Sequence, residues 1–132
     1  MRKNAPSRLR DHDSAQNNPR LIKLMQALPE GGSPRDIPLQ MRPKSGFGNT
    51  YCRLWWSRPA TTITGNLGTP SSSRCIHPKA ARALTTREGA RLQSFPDDFQ
   101  FFGSLAERNL QVGNAVPLLL SQALAASLKS HV

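Results

Sequence analysis

Long apolar runs are missing from these 132 residues. No stretch reaches the roughly 18 consecutive apolar residues that suggest a membrane-spanning helix. The opening Met1-Arg2-Lys3-Asn4-Ala5-Pro6 carries charge with no apolar run behind it, so no signal peptide is expected. Cysteine is scarce as well. Cys52 and Cys75 form no C-x-x-C pair and histidines do not cluster, which argues against a disulfide framework and against a metal site. On these absences the chain reads as cytosolic, with no membrane partner.

Acidic residues are few: 8 Asp and Glu against 18 Lys and Arg, a formal charge of +10. Such an excess points to a polyanionic partner, because each neutralised phosphate releases counterions. The plain alternative is that the charge only keeps the chain soluble. The excess is uneven, with eleven basic and four acidic residues in 1–60 and seven and four in 61–132. Eleven Pro and nine Gly divide the chain into short pieces and exclude a long helical bundle. The length suits one small domain.

Residues 1–17 are polar and irregular, as expected of a mobile basic arm. Asn18-Pro19 has the form of a helix cap with Pro at the first helical position, and Leu21, Leu24, Met25 and Leu28 follow at the spacing of one helix face. Pro29 and Gly31-Gly32 should end that helix. Residues 33–48, rich in Pro, Gly (Gly46 and Gly48 among them) and basic residues, read as loop, either close to phosphates or a solvated connector. Aromatic and β-branched residues at 51–56 and 61–64 predict two strands joined by a turn at Arg58-Pro59, with Trp55 and Trp56 in the core. Thr85-Thr86-Arg87-Glu88 has the T-x-x-E form of a capping box, predicting a helix that runs to about Ser94 and stops at Phe95-Pro96. Asp97-Asp98 should begin a turn. Asn114 is then read as the cap of a last helix with Pro117 in its first turn. Its run Leu118, Leu119, Leu120, Ala123, Leu124, Ala125, Ala126 and Leu128 is apolar nearly all round and calls for burial on more than one side.

Three segments, in order, resemble the bacterial cytosine-5 DNA methyltransferases. Tyr51-Cys52-Arg53-Leu54-Trp55-Trp56-Ser57-Arg58-Pro59-Ala60-Thr61-Thr62-Ile63-Thr64, with Gly68 beyond, is similar to the end of that family's target-recognition region. Arg82 to Asp97, through Thr85-Thr86-Arg87-Glu88-Gly89-Ala90-Arg91-Leu92-Gln93-Ser94-Phe95-Pro96, resembles its ninth motif, and Gln111-Val112-Gly113-Asn114-Ala115-Val116-Pro117 its tenth and last. Residues 12–40 look like the more variable start of the recognition region. The resemblance implies an α+β chain, with a small irregular strand-rich recognition domain followed by C-terminal helices that would complete a Rossmann-like S-adenosylmethionine-dependent methyltransferase domain. The corresponding divisions are an arm at 1–17, a recognition region at 18–82 and returning motifs at 83–132.

By the same resemblance Thr62, Ile63, Thr64, Gly68, Arg87 and Arg91 are the DNA-binding candidates. A threonine hydroxyl can bond a base or phosphate while its aliphatic neighbour packs beside it. Arg87 and Arg91 lie four apart and share a helix face. At the position of Arg91 the family implies packing and hydrogen bonds that organise the recognition domain. Asn114, Ala115 and Val116 are the candidates for lining the S-adenosylmethionine pocket, where amides at a helix N-terminus suit a carboxylate. No catalytic residue is assigned. The family attacks C6 of a flipped-out cytosine with the cysteine of a Pro-Cys loop, aided by a Glu-Asn-Val motif. Here Cys52 follows Tyr51 and Cys75 follows Arg74, which suits small packing residues, and Glu88 reads as a helix cap.

The expectation is therefore one polypeptide of a split DNA cytosine-5 methyltransferase, bacterial and nucleoid-associated. Duplex DNA and a complementary catalytic chain would be its partners. The rivals are an inactive remnant and a stand-alone DNA-binding module; the apolar last helix argues against the module.

Overall fold

The computed structural model describes residues 9–44 and 50–131. Residues 1–8 of the expected arm, and Gly46 and Gly48 of the expected loop, lie outside the described residues. Four helices carry the fold: α1 (Pro19–Ala27), α2 (Thr86–Leu92), α3 (Leu105–Asn114) and α4 (Leu118–Lys129). Two 3-10 turns, Pro34–Asp36 and Leu39–Met41, follow α1. No helix among the described residues is long and apolar enough to cross a membrane.

Each of the first three helices begins where its sequence supplies a cap. Asn18 accepts from the Leu21 N–H at 2.8 Å, with Pro19 at the first helical position where its missing N–H costs nothing. Thr85 and Glu88 form the expected capping box of α2. Ser104 and Glu107 form another at α3, a helix not expected from the sequence although Ser104-x-x-Glu107 announces it. The Ser94 N–H bonds the Arg91 carbonyl at 3.0 Å and the Phe95 N–H bonds that of Ala90 at 2.9 Å, so α2 ends in a Schellman motif. Ser94 takes the left-handed position, φ 59°.

Two apolar clusters share the interior. Leu24, Met25, Leu28, Ile37 and Ile76 make the first, with α1 as its lid. Leu54, Leu67, Cys75, Ala83, Leu84, Ala90, Phe101 and Val112 make the second, around α2 and α3. The clusters meet where the extended backbone alternates: Cys75 joins one and Ile76 the other, as neighbours in extended chain should.

The expected strands do not form. Among the described residues pairing is confined to single bridges, Arg53 with Ile76 in parallel and Ile76 with Ala83 antiparallel. The 51–56 and 61–64 segments do not pair with each other. The Trp56 N–H turns to the Glu30 carboxylate at 2.7 Å and the Thr64 carbonyl closes a turn on Leu67 N at 3.0 Å. Pro59, between them, has no N–H to give a ladder. The fold is thus helical and irregular, and the strand-rich description is corrected.

The tryptophans are corrected too. Arg53 and Leu54 take the inward positions, leaving Trp55 and Trp56 exposed at 43% and 48%. Trp55 lies against Gly31, where φ is +70° and a Cβ would overlap the indole.

Two arginines are buried, each by acceptors from separate segments. Arg53 donates to the carbonyls of Leu28 (3.0 Å), His77 (2.6 Å), Ala80 (3.0 Å) and Met25, tying α1 to the 77–80 turn. Arg87, fully buried, donates to the carbonyls of Arg10 (3.2 Å), Pro96 (3.1 Å) and Phe99 (2.6 Å) and to Asp11 Oδ2 (3.0 Å). Arg108 donates to Asp11 Oδ1 at 2.5 Å, and His12 Nδ1 lies 3.1 Å from Thr85 Oγ1. The described part of the expected arm is therefore seated on α2 and α3. Replacing Arg87 with Met should lower stability by about 3–5 kcal/mol, since Asp11 and three carbonyls lose their donor in the interior. Arg91→Met, which breaks an exposed pair, should change it by less than about 1 kcal/mol. Urea titrations of both variants check this, and equal losses would contradict it.

Candidate functional site

The turn from Thr64 to Thr69 is closed by the Leu67 N–H on the Thr64 carbonyl (3.0 Å) and the Thr69 N–H on that of Asn66 (2.8 Å). It packs on α3 through glycines that keep backbones close. A Cβ on Gly113 would overlap the Gly65 nitrogen and the Thr64 carbonyl carbon, and one on Gly68 would sit 2.8 Å from Asn109 Nδ2. Asn109, buried, accepts from Thr86 Oγ1 at 2.7 Å, which carries the contact on to α2. The candidate recognition stretch and the Gln111–Pro117 stretch are in this way brought side by side. Within the first, Thr62 and Thr64 are exposed and Ile63 packs, half-buried, on the second apolar cluster. Gly68 is half-buried on Asn109.

Gln93 holds the other side of this seam. Its buried amide donates to the Val112 carbonyl at 2.8 Å and to that of Ala115 at 3.2 Å. The Gln93 carbonyl receives the Leu118 N–H at 3.2 Å, and Ser94 Oγ receives the Leu119 N–H at 3.0 Å. Asn114 is the last residue of α3, and Pro117 caps α4 without a side-chain bond. The expectation that Asn114 opens the last helix is corrected, and so is its chemistry: the first two amides of α4 are already bonded to Gln93 and Ser94. What Asn114, Ala115 and Val116 offer is an exposed side-chain amide, a half-buried methyl and an apolar side chain 58% exposed.

Arg87 and Arg91 do not reach this seam as free cations. Arg87 has no accessible surface to present to a phosphate. Arg91 pairs with Asp97 through two bonds, 2.7 and 2.6 Å. Glu88 meets a bidentate Arg82, 2.7 Å for each bond, beside its capping role. Burial works against the Glu88 charge, but the Arg82 hydrogen bonds, the Thr85 N–H and the Arg82 charge outweigh it and hold the carboxyl at about 2. Such a group is ionised at neutral pH and is no proton donor.

The thiols are equally quiet. Burial pushes Cys75 up to about 11, against hydrogen bonding to Ser73, and burial also raises Cys52. A nucleophilic cysteine needs the opposite shift, toward thiolate. Among the described residues no group of three or more His, Cys, Asp and Glu is placed to hold a metal ion.

Four residues that organise the site were not singled out from the sequence: Asp11, Gln93, Asn109 and Gly113. Gln93 and Gly113 stand inside motif-like segments, yet their roles depend on partners 19 or more residues away and on a backbone contact that no local pattern displays.

Residues 7–130 match the family described as C-5 cytosine-specific DNA methylase. The chain is similar to the Type II methyltransferase M1.HphI of Haemophilus parahaemolyticus, 40% identical over 115 residues, which are 87% of this chain and 30% of that protein. It is 38% identical over 114 residues to the Type II methyltransferase M.PspPI of Psychrobacter sp., covering 80% of this chain and 27% of that one. With DNA (cytosine-5)-methyltransferase CMT2 of Arabidopsis thaliana it shares 47% over 78 residues, 59% of this chain and 6% of that protein. The chain thus spans less than a third of the length of these relatives. Gly113→Ala should separate the seam between Thr64-Gly65 and α3, costing about 1–3 kcal/mol as overpacking does. Amide shifts should concentrate at residues 62–68 and 112–116 in NMR spectra. Unchanged spectra there would show that the two stretches are not in contact.

Proposed function

Because the chain belongs to the C-5 cytosine-specific DNA methylase family, we propose that it forms the DNA-recognition and cofactor-closing part of a DNA (cytosine-5-)-methyltransferase of restriction-modification type. The observation that supports this reading is the glycine seam, where the Thr64-Gly65 backbone lies against Gly113, the residue before Asn114. A base-reading segment so coupled to a cofactor wall puts the target base and the methyl donor in register.

On this reading the exposed Thr62 and Thr64 hydroxyls face duplex DNA, while Ile63, rooted in the core, fixes their height. Bound S-adenosylmethionine supplies an electrophilic methyl group. The residues here fit one wall of its site: the Asn114 amide has no hydrogen-bond partner among the described residues, and Val116 presents apolar surface to one face. On this reading the nucleophile and the remaining cofactor contacts come from outside these 132 residues, in which neither Cys52 nor Cys75 follows a proline.

Helix α4 agrees with such an arrangement. None of its residues is buried, and Leu119, Leu120, Leu124 and Leu128 are between 50% and 68% exposed. On a catalytic domain that helix finds the burial its composition calls for. The protein would then work in the bacterial cytoplasm, at the nucleoid.

Labelled S-adenosylmethionine and mixed-sequence duplex DNA test the proposal. The 132 residues alone should transfer no label; with a polypeptide carrying the Pro-Cys and Glu-Asn-Val motifs of a close relative they should. Asn114→Ala should then weaken cofactor use about tenfold, the worth of one hydrogen bond to a charged ligand. Transfer by the chain alone, abolished by Cys52→Ser or Cys75→Ser, would overturn this account. No transfer in the mixture would favour an inactive fragment.

A further inference from the structure

Most of the cations from residue 53 onward are already engaged. Arg82, Arg91 and Arg108 face Glu88, Asp97 and Asp11, Lys79 faces Glu30, and Arg53 and Arg87 are buried among carbonyls. A cation already matched to a carboxylate, or sealed from water, has little left to give a phosphate. Between residues 50 and 128, two arginines are neither paired with a carboxylate nor buried among the described residues: Arg58 and Arg74. Both are exposed.

Both also adjoin the Thr61–Thr64 stretch. Arg58 precedes Thr61 by three residues, with Pro59 stiffening the link. Arg74 is joined to it across space, the Thr61 hydroxyl donating to the Arg74 carbonyl at 3.5 Å. Arg58 is in addition held in place. Its guanidinium lies 4.3 Å from the centre of the Trp55 ring, and that ring is seated on Gly31, where a Cβ would overlap it. A guanidinium stacked by its face keeps its in-plane N–H fork free, which is the geometry that grips a phosphate through two bonds. An exposed tryptophan spent on aligning an otherwise unpaired arginine is hard to account for by stability alone.

We propose that Arg58 and Arg74 are the phosphate contacts that seat duplex DNA on the Thr61–Thr64 stretch, and that Trp55 is the positioning residue for Arg58. This rests on the reading that the stretch faces DNA, and it singles out two side chains from the chain's excess of cations. Phosphate contacts fix the register of the duplex and carry no base preference themselves.

The test is the salt dependence of duplex binding by the full chain, measured with a fluorescent oligonucleotide duplex of mixed sequence. Each phosphate contact contributes about 0.9 to the slope of log affinity against log salt. Arg58→Ala and Arg74→Ala should each reduce the slope by about that amount and weaken all sequences alike. Arg58→Lys keeps the charge and loses the stacked fork, so its slope should hold while affinity falls several-fold. Trp55→Ala should behave as Arg58→Lys does, and Trp55→Phe, which keeps a ring under the guanidinium, should restore affinity. Salt-dependent binding whose slope is unchanged in Arg58→Ala and Arg74→Ala would overturn the assignment and leave the DNA reading standing. No salt-dependent binding by the unaltered chain would remove both.

Discussion

A guanidinium keeps its charge at any pH a protein meets, so burying Arg87 obliges the chain to bring acceptors to it. Two segments comply, residues 10–11 and the Pro96–Phe99 turn, and Asp11 also accepts from Arg108 of α3. Phe101 lies below, its ring centre 5.4 Å from the guanidinium carbon. With α2 anchored this way, its opposite residues are fixed as well. Gly89 meets Leu67 and Val112, Thr86 reaches Asn109, and Gln93 ties down the end of α3. The glycine seam that joins residues 64–68 to the end of α3 is downstream of that one buried charge. Arg53 does the same work for the first half, drawing α1 and the 77–80 turn onto the bridge at Ile76. Such pairs are weak evidence for net stability, because desolvation offsets their attraction, but removing one partner is costly. Their effect here is to specify which segments meet.

What could be read in the sequence divides by range. Caps are local, so Asn18-Pro19 and Thr85-x-x-Glu88 announced α1 and α2 correctly. Ser104-x-x-Glu107 carries the same local signal for α3. The expected strands are absent among the described residues for a physical reason. Aromatic and β-branched composition reports a residue's fit to a pleated surface, and a strand also needs a neighbour to pair with. Hydrophobicity alone puts Trp55 in the core, whereas its neighbours Arg53 and Leu54 take the inward positions. Of the candidate site residues, Thr64 and Gly68 lie against α3, at Gly113 and Asn109. Arg87 proved to be an internal strut, a distinction between buried and exposed arginine that no motif encodes.

Helix α4 has an energetic consequence that reaches beyond the chain. Leu118, Leu119, Leu120, Leu124 and Leu128 are all exposed, and each contributes roughly 1.5–3 kcal/mol if fully buried. A twelve-residue helix without tertiary packing is marginal in water. Its attachment through Leu118 and Leu119 to Gln93 and Ser94 ties its position to the same seam as Asn114, so a surface that covers α4 also settles residues 114–116.

Hydrogen exchange across Leu118–Lys129 is the most direct measurement of whether this chain is one part of a larger methyltransferase. It should be followed in the chain alone and in a mixture with a polypeptide bearing the Pro-Cys and Glu-Asn-Val motifs. The α4 amides should exchange rapidly in the chain alone and be strongly protected in the mixture, with protection extending back to residues 112–116. Strong protection of α4 in the isolated monomer would contradict this, because the helix would then need no outside surface.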